Sequence, residues 1–171
     1  IVDWGFFKLL FVENKGMAWG ARLNDILPFI SDNSAKLLLR IFRLLAVSAI
    51  GYWLVRATKT ATPKRQLIAV SLIFAGALGN IIDSVFYGVL FSNSYGQIAT
   101  FLPSEGGYAP LMFGHVVDML QFPMFSWNWP EWFPLVGGNS FTFFEPVFNI
   151  ADSAISIGVV LLLWTTRKAE Y

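Results

Sequence analysis

The sequence predicts a mainly α, polytopic integral membrane protein, and three observations carry that prediction. Hydrophobic residues make up 56% of the 171-residue chain and charged residues 13%, where soluble domains average about 45–50% and about 25%. The mean hydropathy is +0.58 and aromatic residues reach 17%. Apolar runs long enough to cross a hydrocarbon core of about 30 Å recur along the chain. Residues 1–171 read as a single membrane domain, since this length suffices for one.

The same composition excludes whole classes of function. A net charge of +1 provides no polybasic field, so no nucleic-acid partner is expected. With no cysteine and His115 as the lone histidine, disulfides, thiolate zinc sites, iron–sulfur clusters and thiol nucleophiles drop out together. Neither a metal site nor a cofactor is expected.

Taken in order, the chain opens with IVDWGFFKLL, where Asp3 and Lys8 break the clean apolar core that a signal peptide needs. Residues 6–13, FFKLLFVE, are short and aromatic-rich and predict a strand. The first span is expected at 37–55. Arg40 and Arg43 interrupt it, and with Lys36 they fall at i, i+4 and i+7 on one helix face, from which they can snorkel to an interface. A helix lying on the membrane surface is the alternative there. Residues 66–91 form the clearest span, with Asn80 and Asp83 as its polar interruptions.

Residues 92–147 hold six of the eight prolines and a cluster of Phe122, Phe125, Trp127, Trp129, Trp132 and Phe133. Such a belt sits at headgroup level, either as a surface receiving a lipid-embedded substrate or as an interface anchor. Residues 141–144, FTFF, predict a second strand, and 148–164 the last span, with Asp152 near its start.

Basic flanks set the orientation. Arg56, Lys59, Lys64 and Arg65 lie between the first two spans, and Arg167 and Lys168 follow the last. Both places read as cytoplasmic, which puts 1–36 and 92–147 outside, although Lys36, Arg40 and Arg43 pull the other way. An outside start calls for a preceding span, so residues upstream of Ile1 are expected.

The acids inside apolar surroundings need a reason. Asn80-Ile-Ile-Asp83 and Asn149-Ile-Ala-Asp152 repeat one pattern, an amide and a carboxylate at i and i+3 on a shared helix face. Counted at the helical rise, Asp83 lies about 27 Å beyond Arg65 and Asp152 about 22 Å before Arg167. Both therefore sit near the outer edge of the hydrocarbon. A carboxylate there costs a few kcal/mol unless it is paired or hydrated, which makes it a functional candidate. Helix capping or a structural hydrogen bond is the plain alternative. Asp118, in GHVVDML, is a third acid in apolar company, readable alone as a loop carboxylate or as a site.

Two carboxylates held close share a proton, so that one can activate water while the other donates to a carbonyl oxygen. A serine route lacks both a G-x-S-x-G elbow and a placed histidine. A proton pathway or transporter would also use intramembrane acids, but it would spread them through the membrane thickness. A scaffold that glues helices through its Asn–Asp pairs would not need Asp118.

The motifs Asn14-Lys15-Gly16-Met17-Ala18-Trp19-Gly20, Gly79-Asn80-Ile81-Ile82-Asp83, Gly114-His115-Val116-Val117-Asp118 and Phe148-Asn149-Ile150-Ala151-Asp152-Ser153-Ala154-Ile155 resemble, in order, those of bacterial lipoprotein signal peptidase, or signal peptidase II. The resemblance implies a bundle of four transmembrane helices, the first preceding Ile1, with a small extracytoplasmic β-sheet cradle. It implies an aspartyl endopeptidase of the bacterial inner membrane that works among membrane lipids. Its substrate would be a diacylglyceryl-modified prolipoprotein, cut just before the modified cysteine. The active site would face the extracytoplasmic side, and a monomer is expected.

The family's catalytic pair falls on Asp118 and Asp152. Asn14, Gly16, Asn80, Asp83, Asn149 and Ala151 match positions that bind substrate or shape the site. The chain departs from the family pattern at Ser84, where an arginine is usual, and in additional residues around 88–113 that read as a collar or as a spacer.

Overall fold

The computed structural model describes residues 2–14, 29 and 31–167. They fall into two compact units. One combines residues 14–116 and 150–171, the other residues 1–13 and 117–149.

The first unit is helical. Among the described residues it holds α1 (Asp32–Ala57), α2 (Lys64–Leu90) and α3 (Ile150–Arg167). Ser31 starts α1, its hydroxyl accepting the Ser34 N–H at 3.2 Å, which satisfies one of the donors that a helix start leaves open. Pro63 precedes the first turn of α2. The spans expected at 37–55, 66–91 and 148–164 thus appear as helices with shifted ends. Asn33–Ala57 and Lys64–Leu90 are long and apolar enough to cross a bilayer, whereas Ile150–Thr166 is apolar but shorter.

Helix α2 packs against both α1 and α3, and its seam with α3 is made of small residues. A Cβ at Gly76 would collide with the Ala151 carbonyl oxygen and lie 2.8 Å from Ile155 Cγ1, while one at Gly158 would lie 2.6 Å from the Ala69 carbonyl oxygen. Ala69 and Gly76 therefore meet Gly158 and Ala151 in reverse order, so the two helices run antiparallel. Lipid tails are as apolar as leucine, so this close backbone contact and its dispersion energy hold the pair together. Large apolar side chains such as Leu45, Phe86, Val160 and Leu163 face outward, as expected where the bilayer is the solvent.

The segment after α2 turns back onto the helix that precedes it. Leu102 N–H donates to the Leu90 carbonyl at 2.7 Å, Ala109 N–H to Gly88 at 2.9 Å, Met112 N–H to Val85 at 3.0 Å and Gly114 N–H to Ser84 at 3.0 Å. The additional residues around 88–113 thus cap carbonyls of the last turns of α2.

The second unit is built on strands. β1 (Val2–Asp3), β2 (Lys8–Asn14) and β3 (Val116–Gln121) form a sheet in that order. β4 (Phe125–Asn128) and β5 (Ser140–Phe143) form an antiparallel hairpin with Phe125 opposite Phe143 and Trp127 opposite Phe141. Strands were expected at 6–13 and 141–144, and β2 and β5 answer to them. β3 and β4 were not expected.

The aromatic cluster divides. Phe125 stacks on Phe143 at 5.0 Å between centroids, and Trp127, Trp129, Phe133 and Trp132 continue the chain of rings. Phe122 instead packs between Phe7 at 5.1 Å and Phe148 at 5.9 Å.

Candidate active site

Asp118 sits on β3, 6% exposed. Phe148 pairs with the same strand. Leu120 N–H donates to the Phe148 carbonyl at 2.7 Å, and Phe148 N–H returns a bond to Leu120 at 2.9 Å. This bridge delivers the next residue, Asn149, to Asp118, and its amide Nδ2 donates to Asp118 Oδ1 at 3.1 Å. Both side chains are buried, so the donor offsets part of the carboxylate's desolvation.

In the helical unit, Asp152 lies in the first turn of α3, where exposed N–H groups favour negative charge. Asn80 of α2 donates its Nδ2 to Asp152 Oδ1 at 2.9 Å. Ser84 Oγ donates back to the Asn80 carbonyl at 2.8 Å. The bond joins α2 to the first turn of α3.

One expectation changes. Asn149 and Asp152 do not share a helix face, because α3 begins at Ile150 and Asn149 turns to a strand. Asn80 and Asp83 do share a face of α2. Each asparagine gives its amide to a carboxylate remote in sequence, and Asp83 shares a hydrogen bond with Tyr87 one turn on. Ala151 belongs to the helix seam: its Cβ lies 3.6 Å from where a Cβ on Gly79 would be. Asn14 is the half-buried last residue of β2. Gly16 lies outside the described residues.

Arg40 and Arg43 are half-buried and line a recess with Leu44, Ile81, Ser84, Val85 and Met112. Arg40 lies over the Phe113 ring at 4.6 Å. His115 packs its ring on Tyr108 at 5.3 Å and donates its backbone N–H to the Tyr108 hydroxyl at 2.8 Å. No group of three or more metal-ligating side chains occurs among the described residues.

Such carboxylates, each oriented by an amide donor in apolar surroundings, are suited to water activation and proton donation rather than to metal binding.

Comparison with known proteins agrees with these motifs. Residues 1–168 match the family described as signal peptidase (SPase) II. The chain is 47% identical over 163 residues to a lipoprotein signal peptidase of Porphyromonas gingivalis, covering 92% of this chain and 66% of that protein. It is 37% identical to one from Amoebophilus asiaticus, over 96% of this chain and 63% of that protein. It is also similar to one from Chlorobaculum parvum, at 32% identity over 98% of this chain and 75% of that protein. The chain therefore spans slightly less than two thirds of the first two relatives. No solved structure matches it significantly.

Proposed function

The chain belongs to the signal peptidase II family, and from that premise we propose that it removes the signal peptide from diacylglyceryl-modified prolipoproteins, with Asp118 and Asp152 as its catalytic pair. The observation that supports the assignment most is that each of these acids accepts a hydrogen bond from an asparagine of the resembled motifs, Asn149 and Asn80. Asn14, Gly16, Asp83 and Ala151 are proposed to shape the site around them.

In the proposed reaction the ionised aspartate takes a proton from water as its oxygen attacks the scissile carbonyl. The protonated aspartate donates to the carbonyl oxygen. The resulting gem-diol then collapses: the acid formed in the first step protonates the amine as the C–N bond breaks, and a hydroxyl of the diol returns its proton to the other aspartate, which restores the starting pair. No metal or cofactor is required.

The proposed setting is the inner membrane, in a bundle of four transmembrane helices. The basic 56–65 loop would be cytoplasmic and 92–147 extracytoplasmic. The aromatic hairpin would rest at headgroup depth while the diacylglyceryl group stays among lipid tails. The protein is proposed to act as a monomer.

Incubating the purified full-length protein with a diacylglyceryl-modified precursor tests the function. A shortened product beginning at the lipidated cysteine is expected, and an uncut precursor would overturn the reading. Topology has its own test, because the chain has no native cysteine. Ser104→Cys and Ser126→Cys should react with an impermeant maleimide on intact spheroplasts, and Thr60→Cys only after lysis. The reverse pattern would place the acids on the cytoplasmic face.

A further inference from the structure

The β4–β5 hairpin has two faces of opposite character. Opposed residues, and residues two apart along a strand, project to the same side, so the register gathers Phe125, Phe143, Trp127 and Phe141 on one face. Their rings touch: Phe125 stacks on Phe143 at 5.0 Å, and Trp127 lies against Phe141 at 4.6 Å. The other face carries Ser126, Thr142, Asn128 and Ser140, and the hydroxyls of Ser126 and Thr142 share a hydrogen bond at 3.0 Å. Trp129 closes the connecting loop. Its N–H donates to the Asn139 carbonyl at 2.9 Å, and its carbonyl accepts the Gly138 N–H at 3.0 Å. The loop presents Trp132 and Leu135, both largely exposed.

A ribbon of two strands is marginally stable in water, and an aromatic face of this kind calls for a cover. In the folded chain the four face rings remain between 38% and 52% exposed. Composition and reach decide what covers them. No lysine or arginine occurs between Arg65 and Arg167, and Glu131 is the only charged residue in 119–144. A neutral surface of tryptophan and phenylalanine backed by hydroxyls and an amide suits the bilayer interface, with no attraction to charged headgroups. Phe143 also lies only seven residues before Ile150, where the apolar helix α3 begins. Even fully extended, that connection spans no more than about 25 Å. We propose that the hairpin is a one-sided membrane anchor. Its aromatic face and Trp132 meet the acyl chains, its hydroxyl–amide face meets headgroups and water, and the strand unit that carries Asp118 is thereby seated on the outer leaflet. The partner is the bilayer itself, held by apolar burial and not by charge. The inference deepens the proposed membrane setting and rests on it.

The test uses the full-length protein with one introduced cysteine at a time, labelled with bimane and reconstituted into phosphatidylcholine vesicles. A lipid carrying a nitroxide just below the headgroup should quench Phe141→Cys and Trp132→Cys at least about threefold more than Ser126→Cys and Ser140→Cys. Aqueous iodide should show the reverse order. Val160→Cys, at an outward position of α3, is the marker of insertion and should be quenched from the lipid. Replacing part of the lipid with phosphatidylglycerol should leave the lipid quenching of the hairpin within about 1.5-fold, since the hairpin carries no basic residue.

Iodide quenching equal on the two faces would place the hairpin in water. Protection of Phe141→Cys and Trp132→Cys from both quenchers would show that protein covers the face. Either result overturns the proposal, as does lipid quenching that appears only with phosphatidylglycerol. If Phe141→Cys loses its melting transition, Trp132→Cys decides, because that side chain is 79% exposed and supports little of the fold. A quenched Val160→Cys beside a hairpin open to iodide sinks the anchor alone, whereas a Val160→Cys untouched by the lipid quencher removes the membrane setting and the anchor with it. Precursor cleavage by the unsubstituted protein in the same vesicles reads the protease assignment separately: an uncut precursor with the two-faced pattern intact counts against the protease and leaves the anchor standing.

Discussion

Asp118 and Asp152 are held by the same chemical device on two different scaffolds, and the contrast shows what each scaffold requires. Asp118 stands on a strand, buried, and its amide partner is a residue that the chain brings alongside by pairing Phe148 with Leu120. Asp152 stands in the first turn of a helix, half-buried, with its amide partner on a neighbouring helix that a glycine seam draws close. The strand acid accepts its amide in a buried setting. The helix acid accepts its amide half-buried, in the first turn of a helix, where open N–H groups favour negative charge. Because burial raises the cost of a lost donor, losing the amide should be felt more on the strand.

The largest expected effect would erase the contrast. Asp118→Asn and Asp152→Asn should each reduce cleavage by at least about a thousandfold, because members of a catalytic unit fail together. Precursor cleavage measured beside a thermal melt checks this, and a large difference between the two folded variants would show that the acids do not act as a pair.

The contrast sharpens one step out. Asn149→Ala should destabilise the protein by about 1–3 kcal/mol, the range for stripping a donor from a buried polar group. Asn80→Ala should cost less, because Asp152 is half-buried and keeps the helix N-terminus. Chemical denaturation of the two variants compares them, and a larger loss for Asn80→Ala would reverse the argument.

Asp83→Asn should be milder still, lowering kcat by less than about tenfold, since an amide retains hydrogen-bonding capacity toward Tyr87. The cleavage assay reads this, and a loss as deep as that of Asp118→Asn would move Asp83 into the chemistry.

The smallest effect belongs to an acid with no site at all. Asp3 accepts the Gly5 N–H at 2.8 Å and pairs with Lys8 at 3.0 Å, and these contacts hold its carboxyl below the usual range. A lowered folded-state pKa contributes stability above the ordinary carboxylate range and loses it as pH falls through that range. The melting difference between wild type and Asp3→Asn should therefore be small near neutrality and vanish by about pH 3. A difference that grows toward acid would contradict the pairing.

The helices were legible in the sequence because a bilayer demands long apolar runs, and 66–91 and 37–55 supply them. Asp83 and Asp152 stood out because charge inside such runs is costly enough to need a reason, whereas Asp118, outside them, entered the pair only through the resemblance of its motif. What stayed hidden was pairing. Asn80 and Asp83 share a motif, yet the amide of Asn80 crosses to Asp152, a contact set by the Gly76–Ala151 approach and not by spacing. β3 was missed because VVDMLQ places an acid inside a short apolar run, which obscures alternation. The arginines are a related case. Their spacing identifies a shared face but not what lies opposite, and here the face meets α2.

The returning segment after α2 bears on how such a chain can change over generations. Its entry and exit are fastened together, since Gly114 N–H is bonded to the Ser84 carbonyl at 3.0 Å. The residues after Leu90 thus leave and rejoin α2 as a loop whose ends are already joined. Lengthening it costs only a slowly rising closure entropy, about 0.6 kcal/mol per doubling. Residues can therefore be gained or lost at its tip without altering the point at which the chain sets out toward β3. Variation in length is confined to a place where it leaves the start of that strand untouched.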